Sequence, residues 1–108
     1  MRRPILVACA LILAGRLLAV GAWATPKLAT ILIDNLTYGA PPAHLRSGDR
    51  LAWANHDLFR HSATADDKSF DVDLMPGKQA QIVLKHPGVY SYFCKYHPGM
   101  RGKLTVSR

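Results

Sequence analysis

The chain reads as an all-β protein, one β-sandwich of six to eight short strands. Three observations predict this. After residue 24, apolar residues recur mostly at period two in short runs, and no stretch carries the helical period. Turn-forming Gly, Pro, Asn and Asp punctuate the runs about every 8–12 residues, the spacing of a sandwich. No repeat, low-complexity tract or long linker divides the chain.

The first 24 residues stand apart. Arg2 and Arg3 give a charged start, residues 4–20 are mostly apolar, and Ala22-Trp23-Ala24 offers the small-x-small pattern of signal-peptide cleavage. An uncleaved anchor is the alternative, but Arg16 would sit mid-membrane at a cost of about 2.5–3.5 kcal/mol. The twin arginines lack the surroundings of a twin-arginine signal, and too few apolar residues precede Cys9 for lipoprotein processing. The expectation is a signal peptide over residues 1–24 and one domain over residues 25–108, exported to the periplasm.

Export changes the charge and cysteine arithmetic. Losing Arg2, Arg3 and Arg16 from the 14 basic residues leaves eleven against seven acidic ones, all Asp, a formal +4. These charges are interspersed, without the basic stripe and aromatics of a nucleic-acid binder. Cys94 becomes the only cysteine, so the exported domain has no internal disulfide. A domain this small usually needs a disulfide, a metal or a partner, and a lone thiol in an oxidising compartment is a liability unless ligated.

Taken in order, residues 27–38 carry Leu28, Ile31, Leu32, Ile33 and Leu36 and are expected as a strand, with a bulge or early exit at Asp34-Asn35. Pro41-Pro42 mark a turn, and His44-Leu45-Arg46 a short strand after it. Leu51 and Trp53 point inward from a half-buried strand, and Asn55-His56-Asp57 turns the chain. Residues 58–64 begin another strand around His61. Phe70, Val72 and Leu74 alternate inward, with Asp71 and Asp73 on a solvated face; the aspartates lack the Gly and Glu of a calcium loop. Met75 is expected as a core or edge gap-filler before the Pro76-Gly77 turn. Residues 79–85 form a strand around Ile82 and Leu84, residues 89–93 lead into the Cys94 loop, and Leu104 and Val106 face inward from the last strand. His44 and His86 are surface residues.

The chemistry concentrates in Cys94-Lys95-Tyr96-His97-Pro98-Gly99-Met100, with a thiol, an imidazole and a thioether at three-residue intervals. Two histidines and a cysteine with a weak axial methionine make a copper electron-transfer site. Zinc prefers four firm ligands, and a thioether is a poor fourth. The second histidine must come from elsewhere. His61 is the candidate, beside apolar residues at a strand start about thirty residues upstream, and His56 is the runner-up.

These residues resemble the cupredoxin family of small blue copper proteins. The likeness runs from about Pro42 to Val106 through Gly48-Asp49, Trp53-Ala54-Asn55, His61, Pro87-Gly88-Val89-Tyr90 and the Cys94–Met100 loop. The short His97-to-Met100 spacing is nearer to the amicyanins than to the plastocyanins. The resemblance implies a Greek-key sandwich holding one type 1 copper, with His61, Cys94 and His97 equatorial and Met100 axial. The family usually has Pro before the first histidine and Asn after it, the Asn tying that segment to the cysteine loop. Here Arg60 and Ser62 stand in those places.

The expected function is a periplasmic, monomeric one-electron carrier, not an enzyme, since no paired carboxylates or nucleophilic triad are present. A copper-delivery or buffering protein using the same residues is the alternative, and a metal-free structural sandwich the third. By resemblance the electron leaves through His97, with Leu58, Phe59 and Pro98 as an apolar patch. Arg60, Lys95 and Arg101 lie close to ligands, which suggests a redox protein partner with an acidic docking surface.

Overall fold

In the computed structural model, residues 25–108 are described, together with Arg2, Pro4 and Gly15. The expected signal peptide therefore lies almost wholly outside the described residues. Among the described residues there is no helix, and so none long and apolar enough to cross a membrane.

The described residues form nine strands in two sheets: β1 (Leu28–Asp34), β2 (Thr37–Tyr38), β3 (Leu45–Arg46), β4 (Arg50–Asn55), β5 (His61–Ala65), β6 (Asp71–Leu74), β7 (Gln79–Val83), β8 (Gly88–Phe93) and β9 (Arg101–Ser107). Their order is β2-β1-β4-β7 in one sheet and β3-β9-β8-β5-β6 in the other. β1 pairs with β4, and β3 with β9, in parallel; the other neighbours are antiparallel. The chain crosses between the sheets repeatedly, as a Greek key does, and the predicted sandwich is what forms.

Three local expectations need correction. Residues 27–38 are two strands: Asn35 and Leu36 both take positive φ, 52° and 56°, and reverse the chain into β2. Both central residues of a type I′ hairpin turn require this, and Leu36 gives no sequence warning of it. β4 lies between β1 and β7, so Ala52 on its second face is buried alongside Leu51 and Trp53. Met75 is exposed, outside the core.

The core is apolar residues from both inner faces. Ile31, Ile33, Leu51 and Trp53 come from one sheet, and Leu74, Tyr92, Leu104 and Val106 from the other. Trp53 packs against Phe70 and Tyr92 with ring centroids 5.3 and 5.5 Å apart, and Tyr92 edges onto Tyr38 at 4.6 Å. Tyr92 needs a bare backbone opposite it. Its cross-strand partner is Gly102, where a Cβ would fall 2.3–2.7 Å from the phenol ring. That ring is two residues from Cys94, so its placement fixes how β8 enters the ligand loop.

Candidate metal centre

The centre sits at one end of the sandwich, where β5 and β8 part. Their ladder ends at Thr64–Phe93. Beyond that pair Ser62 replaces the missing rungs, because its N–H points at Cys94 Sγ (3.4 Å) and its Oγ accepts the Lys95 N–H (2.8 Å). The tie to the cysteine loop that the resemblance expects of an Asn is thus made here by Ser62. Tyr38 adds a buried hydroxyl donated to the Ser62 carbonyl, and burial, first of all, pushes that hydroxyl's pKa far up, so it stays a donor.

The parting brings three of the predicted ligands together. Nδ1 of His61 is 3.7 Å and Nδ1 of His97 is 3.6 Å from Cys94 Sγ, and the three donor atoms lie within 4.8 Å of one another. An ion bound trigonally at about 2.0 Å to nitrogen and about 2.3 Å to sulfur would hold N and S about 3.7 Å apart. The donor set therefore fits one soft or borderline metal ion. His61 is fully buried, Cys94 nearly so, and His97 half-buried.

Met100 closes the loop. Its N–H donates to the His97 carbonyl (3.1 Å) and its carbonyl accepts from the Cys94 N–H (3.0 Å), while Gly99 at φ 88° makes the bend. Its side chain is buried in the same cluster as Cys94. His56, the competing candidate, is exposed, and its N–H bonds the Ile33 carbonyl. His44 and His86 are exposed, as expected.

Two residues matter more than sequence reasoning assigned. Asp57 Oδ2 lies 2.7 Å from His61 Nε2, and its carboxylate also accepts the N–H groups of Asn35 (2.7 Å) and Leu36 (2.9 Å). The Leu36 N–H above all, then His61 and Asn35, hold Asp57 below the usual carboxylate range. Ionised, it can only accept, so Nε2 carries the proton and Nδ1 presents its lone pair toward Cys94. Asn55 is fully buried and organises the same connection: Nδ2 donates to the Phe59 and Leu74 carbonyls, and Oδ1 accepts the Asp57 N–H. The His61−4 spacing of Asp57 and the strand-end position of Asn55 were the available signals.

The rim is half as expected. Leu58 (90% exposed) and Phe59 (56%) form an apolar surface, with Phe59 edge-on to His97 at 5.9 Å. The basic residues, however, are not free. Arg60 pairs with Asp73, Lys95 with Asp71 and Asp73, and Arg101 with Asp66. Three cations face three carboxylates, so this rim carries little net charge.

A family description, the cupredoxin-like domain, matches residues 6–106. Curated relatives include an amicyanin of Paracoccus versutus, 28% identical over 96% of this chain and 94% of that protein. A second, from Paracoccus denitrificans, is 29% identical over 68% of this chain and 61% of its own length. Among solved structures, a reduced amicyanin variant is 25% identical with a TM-score of 0.63, over 72% of this chain and 80% of that one. The Cu(I) form of another amicyanin variant gives 0.65 at 24% identity, over 77% and 85%.

Proposed function

This chain belongs to the cupredoxin-like family, and we propose that it is a carrier of single electrons working on one bound copper. One observation carries the reading: two imidazole nitrogens stand 3.6–3.7 Å from the same buried thiol, at the end of a disulfide-free sandwich. Copper would supply a one-electron couple held in a site with no place for a substrate. His61, Cys94 and His97 would hold it, with Met100 as the weak axial ligand.

The chain's own residues account for the rest. Asp57 fixes the His61 tautomer, and the Ser62 N–H aimed at Sγ moderates the charge on sulfur, one of the levers on potential. Burial of His61 and Cys94 keeps water away, and half-buried His97, between Pro98 and the Phe59 ring, is the route by which an electron leaves, with exposed Leu58 next to Phe59 extending the apolar surface. A partner meeting this face would be another redox protein with an apolar contact at its centre. The formal +4 of residues 25–108 suits an acidic partner, but the pairing of Arg60, Lys95 and Arg101 confines steering to long range.

We place the working protein in the periplasm as a monomer, after removal of residues 1–24, and assign it no enzymatic reaction. Copper delivery would suit a loosely tied site, and the bonds made by Ser62 argue for the carrier instead. The test is voltammetry of the copper-loaded protein with thermal unfolding beside it. A reversible one-electron wave, with a midpoint of unfolding raised by copper, is expected. Uptake of Cu(I) alone, released readily and without a reversible wave, would favour delivery.

A further inference from the structure

The ligand loop is held from outside as well as from within, and the outer hold comes from β6. Asp71 accepts the Thr64 hydroxyl at 2.8 Å and Lys95 Nζ at 3.1–3.2 Å. The single Thr64 hydroxyl proton is committed to Asp71. The 3.0 Å contact between Ser62 and Thr64 therefore runs from the Ser62 hydroxyl to the Thr64 oxygen. Ser62 Oγ is then free to accept the Lys95 N–H at 2.8 Å. Lys95, Ser62, Thr64 and Asp71 make one directed chain of hydrogen bonds, each polarising the next.

Asp73, two residues along the same face, accepts the Tyr96 hydroxyl at 2.7 Å on one oxygen and Arg60 at 3.0 Å on the other. The Arg60 guanidinium also lies 4.6 Å from the Tyr96 ring centroid. The two carboxylates thus grip the residue before each histidine ligand, Arg60 and Tyr96, and the residue after the cysteine, Lys95. A single exposed ion pair would hold little, but several charges converging with two hydroxyls restrain a loop.

We propose that Asp71 and Asp73 of β6 are positioning residues for the metal centre, clamping the Cys94–Met100 loop and the His61 segment against one strand. The inference rests on the copper reading above, and its test separates the two. Asp73→Ala and Tyr96→Phe cut the same bond from opposite ends, at exposed positions outside the core. Each should speed copper loss to excess chelator about tenfold or more, the range for groups that orient ligands. Each should shift the EPR signal of the Cu(II) protein, while the thermal midpoint of the metal-free protein stays put. Asp73→Asn, which keeps an acceptor for Tyr96 but not the charge, should fall between. In metal-free protein the Cys94 and Met100 amides should exchange hydrogen severalfold faster in Asp73→Ala than in wild type. Unchanged copper loss and EPR in both variants would overturn the clamp. If the wild type takes up no copper, the function reading fails, and amide exchange alone decides: faster exchange upholds the clamp, and an unchanged rate refutes it.

Discussion

Asp57 Oδ2 stands 2.7 Å from Nε2 of His61, and that contact decides which imidazole nitrogen faces Cys94. The carboxylate is itself fixed by two backbone N–H groups from the β1–β2 turn, so the orientation of the ligand is built into the hairpin. Replacing Asp57 by Ala should weaken copper binding about 10–100-fold. It should also raise the reduction potential, because a less basic Nδ1 stabilises Cu(II) less. Voltammetry checks the direction, and a potential that stays or falls would contradict the assignment.

Gly102→Ala should destabilise the fold, because its Cβ would press into the Tyr92 ring that packs on Trp53 and Tyr38. The expected loss is about 1–3 kcal/mol, the range for overpacking. Urea denaturation of the metal-free protein measures it, and an unchanged midpoint would mean that the ring moves aside freely.

Much of this was legible beforehand, and the residues show why. Period-two runs exposed β4, β6 and β9, and the three-residue spacing of Cys94, His97 and Met100 exposed the loop, because both are local patterns. In sequence Asp57 reads only as part of a turn, since its role depends on bringing the β1–β2 hairpin beside the β4–β5 connection. The basic rim misled for the same reason. Asp66, Asp71 and Asp73 lie 20 to 40 residues from Lys95 and Arg101 in sequence, or 13 from Arg60, and their pairing is a matter of sheet register.

Acid should unfold the metal-free protein partly through Asp49. This buried carboxylate accepts the N–H groups of Lys27 (3.0 Å) and Arg46 (2.9 Å) and pairs with Lys27 Nζ. The Lys27 backbone N–H chiefly holds it below the ordinary carboxylate pKa. A folded-state value lowered below the unfolded one gives stability that is full above the unfolded value, about 3.9, and lost as pH falls through the folded one. Urea midpoints should drop below about pH 4 in wild type, and less steeply in Asp49→Asn. Equal slopes for the two proteins would refute this.

The apolar patch should govern encounters. Leu58 is almost wholly exposed and precedes Phe59, whose ring is edge-on to His97, so Leu58→Lys should leave folding and spectrum intact. Electron self-exchange between two copies should nonetheless slow about tenfold, since like charges would meet at the contact. Each copy still carries a formal +4, so added salt should raise the wild-type rate modestly by screening the long-range repulsion between them. A self-exchange rate indifferent to Leu58→Lys would move the docking face elsewhere.

The most direct test of the metal centre is a copper titration followed by visible and EPR spectroscopy, on the protein of residues 25–108 and on its Cys94→Ser variant. Saturation at one copper per chain is expected, with an intense blue colour and narrow copper hyperfine splitting, both abolished by Cys94→Ser. Pale colour with wide hyperfine splitting in wild type, unchanged in the variant, would mean that copper sits elsewhere and that His61, Cys94 and His97 do not bind it together.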